Sequence, residues 1–180
     1  MNLYQRKISI ISKIMALIFK IAGVVTGIIS VLAVCAIWIL TFSNGEIKQS
    51  FIDAFDVTAN NGTKISITPS SLLIMFFLML INTSLMTIII VFVYDIFCSI
   101  GKSLTPFTIK VTNRIKQVAI ISIVLSLIGG FSDALVDFYT IGELAWRIDF
   151  TGLLSGMVIL CLALIFRYGC ELQQQSDETL

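Results

Sequence analysis

Histidine is absent from the 180 residues, and charge is scarce, with Asp, Glu, Lys and Arg together making up 13%. Without imidazole there is no Ser-His-Asp triad, no histidine-containing metal site and no imidazole proton switch. The net charge of +1 leaves no basic excess to meet phosphates, which excludes direct nucleic-acid binding as the main activity. The four cysteines, Cys35, Cys98, Cys161 and Cys170, contain no CxxC pair. Cys35 and Cys161 lie inside apolar runs, where a thiol packs as a small hydrophobe. Cys98 and Cys170 fall near segment ends, positions open to acylation or redox sensing, although packing is the expected role of all four.

Apolar surface is what the chain has in excess. Hydrophobic residues make up 57% and the mean hydropathy is +1.00. Soluble domains lie near 45–50% apolar and about 25% charged. A water-soluble fold of this composition could not cover its own surface. The expected fold is therefore all-α, an integral membrane four-helix bundle forming a single domain.

Uncharged stretches of about 17–25 residues mark spanning helices. The first, 21–42, is uninterrupted, and Lys20 can snorkel to the interface, so the span is placed at 14–42. The others are placed at 72–96, 116–139 and 150–168, the second starting just after a helix-entry signal at Pro69 and Ser70. Lys13 and Lys20 interrupt the early apolar region, which reads as an uncleaved anchor rather than a signal peptide. Between the spans lie a loop at 43–71 and a second at 97–115, with a tail at 169–180. Nine of the twelve basic residues fall on the side of the second loop and the tail, so the positive-inside rule places both termini in the cytoplasm. The expected location is the cell membrane. In the outer loop, Phe51, Ile52 and Phe55 have the spacing of a short amphipathic helix. A small hairpin is expected around the turn signal Asn60-Asn61-Gly62-Thr63.

Ionisable and amide side chains within spans are functional candidates by default. Asp133 and Asp137 are four apart and share a helical face near the outer interface; Asp95 lies at the inner boundary. A paired-carboxylate proton or cation site is one reading of the first two. Interfacial solvation with pairing to Arg147 is the blander and favoured one. Tyr94-Asp95 matches half of an intramembrane aspartyl protease signature, but the Gly-x-Gly-Asp half is missing. Asn82, Thr83 and Ser84 sit mid-span, where interhelical hydrogen bonding is expected and ligand contact is the alternative. Gly23-x-x-x-Gly27 and Gly152-x-x-x-Gly156 permit close helix approach, including a possible homodimer, and Gly129-Gly130 is a hinge or a packing notch. No catalytic, metal-ligating or cofactor-binding constellation assembles, so the expectation is a non-enzymatic protein without a cofactor.

Near the inner side, Pro106 ends one element and Thr108 can cap the next, which carries Lys110 and Arg114 on one face. The tail turns acidic after Arg167, so attraction to the basic inner loop is expected. The combination of Pro106-Phe107-Thr108 with Phe166-Arg167-Tyr168-Gly169, Glu171-Leu172-Gln173 and Asp177-Glu178-Thr179-Leu180 resembles the YoaS-like family of small bacterial four-span membrane proteins. Gln174-Gln175 departs mildly from that pattern, which has an acidic residue there. Genes of that family often adjoin one for a small Cro/CI-type helix-turn-helix regulator. The resemblance implies a membrane protein that modulates or tethers such a regulator. Pro106, Phe107, Arg114, Arg167, Tyr168, Glu171, Asp177 and Glu178 are then the candidate docking residues. The alternative is a small transporter or immunity protein that binds a solute, lipid or antimicrobial peptide. That reading requires a polar cavity between the spans reaching Asn82 or Asp133.

Overall fold

In a computed structural model of the chain, residues 3–54, 57–58, 64–65, 68–103, 108–141 and 147–178 are described. In chain order the elements are α1 (Leu3–Phe42), α2 (Gly45–Asp53), β1 (Val57–Thr58), β2 (Lys64–Ile65), α3 (Pro69–Ser103), α4 (Ile109–Ile141) and α5 (Phe150–Glu178). Helices α1, α3, α4 and α5 are each long and apolar enough to cross a bilayer. In hydrocarbon an isolated strand would leave backbone groups unpaired, whereas a helix satisfies them internally. The protein is an all-α, multi-pass membrane bundle.

All four helices run past the spans expected from apolar runs alone. At about 1.5 Å per residue, α1 is roughly twice as long as the ~30 Å hydrocarbon core. Lys, Arg, Gln and Glu are good helix formers, so a helix need not stop where the lipid does. The expected tail is an example. It continues α5 to Glu178, with Arg167 pairing Glu171 at 3.3 Å and Gln174 donating to Glu178 at 3.0 Å, both one turn apart.

The starts of α3, α4 and α5 are capped by the residues that precede them. Thr68 Oγ1 accepts from the Ser71 amide ahead of Pro69-led α3, and Thr108 Oγ1 accepts from the Val111 amide at 3.3 Å, the cap expected for α4. Asp149 Oδ1 accepts from the Gly152 amide at 3.1 Å and begins α5. Between α1 and α3, α2 folds back so that Ile52 is buried with Leu40 and Leu72, and Phe51 lies 6.1 Å from Phe76, ring to ring. Phe55 of the expected amphipathic face lies outside the described residues. Val57 pairs with Ile65 and Thr58 with Lys64 in an antiparallel ladder; the expected turn at 60–63 also lies outside the described residues.

The helices pack in chain order, α1 on α3, α3 on α4 and α4 on α5. Helices α1 and α3 are antiparallel, aligning Ser12 with Gly101 and Gly23 with Ile90, and bringing Ser30 Oγ within 3.3 Å of Thr83 Oγ1. Ile96, Val111 and Val118 form the α3–α4 core, flanked by Phe92 and Ile115. Gly152 and Gly156 lie against Ser126, Ile123 and Ala119, so this glycine face joins α5 to α4. The close helix approach expected of this motif is thus made within the chain, against Ser126, Ile123 and Ala119 of α4. Leu17, Ile21, Val24, Ile28 and Val31 leave a broad apolar face of α1 exposed, as lipid contact requires. The bundle has two distinguishable ends, a hairpin end with α2, β1 and β2, and a basic end with Lys102, Lys110, Arg114 and Arg167.

Candidate solute crevice

Three glycines open space where α3, α4 and the start of α5 converge. A Cβ on Gly130 would collide with the backbone carbonyl of Arg147, and one on Gly152 would collide with Ser126 Oγ and the Asp149 carboxylate. The chain entering α5 therefore passes directly over α4. Gly129 has open space in front of it. Helix α4 continues through both glycines, and the packing notch is at Gly130.

Beside the notch lies an open crevice of about 530 Å³, lined by Asn82, Ser126, Asp133, Arg147, Asp149 and Ser155 among others. Asn82 reaches it from the middle of α3. Its Nδ2 donates to the Leu78 carbonyl at 3.1 Å and to Ser132 Oγ at 3.0 Å, and Ser132 Oγ donates to the Ile128 carbonyl at 2.8 Å. The amide thus ties α3 to α4, the hydrogen bond expected of a polar residue in hydrocarbon. It borders the crevice as well, so the interhelical and ligand-facing roles are compatible. Ser84 is exposed and donates to its own helix at the Leu80 carbonyl, 2.7 Å away.

The two carboxylates at the hairpin end of α4 are put to different uses. Asp137 pairs with Arg147 at 3.8 Å, the partner anticipated for the outer interface, while Asp133 is exposed and lines the crevice. Arg147 is 77% exposed, so that ion pair is solvent-screened and weak. Most of the crevice wall is apolar, with Met86, Ile89 and Leu125 among its residues; with Arg147 drawn to Asp137, the charge left facing the crevice is that of the Asp133 and Asp149 carboxylates. Such a wall suits a ligand with N–H or ammonium donors. Among the described residues, no group of three Cys, Asp or Glu side chains gathers closely enough to hold a metal ion.

No protein-family model, curated protein or solved structure matches the chain.

The remaining candidates lie at the basic end. Asp95 pairs with Arg114 at 3.3 Å, both about one-third exposed. The Arg114 guanidinium sits 4.5 Å from the Phe92 ring centre and donates to Gln117 at 3.0 Å. These contacts make Asp95–Arg114 a clamp between α3 and α4. Arg167 and Glu171 pair within α5. They border a groove of about 420 Å³ against Thr112 and Asn113 of α4, where Thr112 Oγ1 lies 3.7 Å from Cys170 Sγ. Tyr168 and Glu178 are exposed, the latter held by Gln174. Pro106, Phe107 and the Asp177 side chain lie outside the described residues.

Sequence reasoning passed over Ser126, Ser132, Asp149 and Ser155. A signal was present: Ala119, Ser122, Ser126 and Gly130 form a row of small residues on α4 at three- and four-residue steps. Such a row marks the face where another helix comes close.

Proposed function

We propose that this is a non-enzymatic solute-binding protein of the bacterial cytoplasmic membrane, a receptor or carrier for a small polar molecule that bears a cationic group. The observation that carries the reading is the crevice that brings the Asp133 and Asp149 carboxylates at the hairpin end, and Asn82 within the bundle, onto one otherwise largely apolar wall. A cavity of that size takes a molecule of metabolite dimensions. The distribution of basic residues favours cytoplasmic termini, so the crevice opens to the outside. Asp133 and Asp149 supply the charge that attracts the ligand, and Asn82 presents a polar group in a setting poor in water.

The test is thermal unfolding of the detergent-solubilised protein against a panel of small amines, guanidines and amino acids. A binder at one hundred times its Kd stabilises the folded state by about 2.7 kcal/mol. Asp133→Asn and Asn82→Leu are expected to abolish the shift while leaving the ligand-free midpoint nearly unchanged for the exposed Asp133. A panel without a binder, or a shift indifferent to both substitutions, overturns the proposal.

A second reading is favoured by the groove at the basic end. It is bordered by Arg167 and Glu171, residues within the segments that resemble the YoaS-like family. On this reading the groove docks a small helix-turn-helix regulator, and the crevice supplies the signal. Replacing Arg167, Glu171 and Asp177 together should then release the regulator from the membrane. Unchanged localisation of the regulator removes this reading.

A further inference from the structure

Lys20 stands at the edge of the uninterrupted apolar run of α1, and the antiparallel register places it level with Tyr94 of α3. Between them is a groove of about 310 Å³, lined by Lys20, Gly23, Val24, Ile90, Val91 and Tyr94, with Thr87 at its inner end. The floor is hydrocarbon. The Thr87 hydroxyl is taken up by the Thr83 carbonyl at 2.7 Å, so the polar character is concentrated at Lys20 and Tyr94. Gly23 keeps the groove open, since a Cβ there would already touch Ile90 at 3.4 Å and a larger side chain would fill the space.

Lys20 is exposed, and no described carboxylate lies within ion-pair distance of it. The acid beside Tyr94 is Asp95, which pairs with Arg114 on the adjoining helix. The groove therefore presents a cation and a phenol at its mouth, and a narrow apolar channel leading into the membrane. Lipid chains are the material in contact with this surface. A lysine ammonium at headgroup depth attracts an anionic lipid over a zwitterionic one.

We propose that the α1–α3 groove is a binding site for one anionic phospholipid. Its phosphate is held by Lys20 and Tyr94, and its acyl chain lies over Gly23 and Val24. The site is separate from the crevice between α3, α4 and α5, and it does not depend on the reading given to that crevice.

Native mass spectrometry of the full chain in mild detergent, titrated with phosphatidylglycerol and in parallel with phosphatidylcholine, tests the proposal. The expected result is one retained phosphatidylglycerol, with phosphatidylcholine bound several-fold more weakly. Lys20→Gln should weaken phosphatidylglycerol binding about fivefold, the loss of one surface cation, and Lys20→Arg should retain it. Lys13→Gln serves as the control, because Lys13 is exposed on the same helix but does not line the groove. Gly23→Leu, which fills the channel and keeps the charge, should lose the retained lipid as well. Equal weakening by Lys13→Gln and Lys20→Gln would mean diffuse attraction to the basic end and would overturn the site. Equal retention of the two lipids would overturn headgroup recognition.

Discussion

Gly129 and Gly130 are neighbours on α4, yet a methyl group added to each should have opposite consequences. At Gly130 the new Cβ would collide with the Arg147 carbonyl oxygen and approach the Arg147 carbonyl carbon to 3.3 Å and Ile148 Cα to 3.7 Å. These are backbone atoms, so no side-chain rotation relieves the clash, and the chain leading into α5 must move. Overpacking of this kind costs about 1–3 kcal/mol. The better helix propensity of alanine returns up to about 1 kcal/mol. With that gain subtracted, Gly130→Ala is expected to destabilise by up to about 2 kcal/mol, as much as a ~30-fold change in the unfolding constant. At Gly129 a Cβ meets nothing within 4 Å, so Gly129→Ala keeps the propensity gain and stabilises by up to about 1 kcal/mol. Unfolding of both variants in a graded mixture of mild and denaturing detergent measures the difference. A Gly130→Ala protein as stable as Gly129→Ala would refute the proposed approach of residues 147–148 to α4, and with it the wall of the crevice.

Asp95→Asn and Arg114→Gln should each loosen the α3–α4 clamp by about 1 kcal/mol, because one-third exposure screens the pair; a double-mutant cycle showing no coupling would contradict it. Ser30→Ala combined with Thr83→Ala should show a coupling of about 0.6 kcal/mol in the same unfolding assay, the usual yield of an interhelical hydrogen bond in lipid. Cysteine labelling addresses orientation: in a Cys98→Ser background, a membrane-impermeant maleimide should reach Ser50→Cys at the hairpin end in intact cells, and native Cys170 only after permeabilisation. The reverse pattern would invert the proposed topology. Cys35 and Cys161, exposed on apolar stretches of α1 and α5, should stay unlabelled in membranes whichever way the chain is inserted.

The class of fold was legible because it follows from composition. Where neither water nor a sheet partner is present, a run such as 21–42 has no alternative to the helix, and any window along it gives the same answer. The helix entry at Pro69, the cap at Thr108 and the pairing partner of Asp137 were legible too, since they depend on residues close in sequence or at the same depth. Helix ends were not. The apolar runs report where lipid stops, whereas α1 and α5 continue through charged residues that favour helix in water as well.

The crevice required the tertiary arrangement. Asn82, Ser126, Asp149 and Ser155 come from three helices, and which of their faces meet depends on how closely α4 and α5 approach. That distance is decided by Gly130, Gly152 and Gly156 together with the backbone opposite each of them. A glycine in a sequence records only that space is available. The sequence by itself determined that the chain spans a membrane as helices, because burial of apolar residues is a sum over composition. Only the packed structure decided that Gly156 is filled by α4, that Gly129 faces open space and that Asp133 and Asp137 have different surroundings, because shape complementarity is a property of pairs of surfaces.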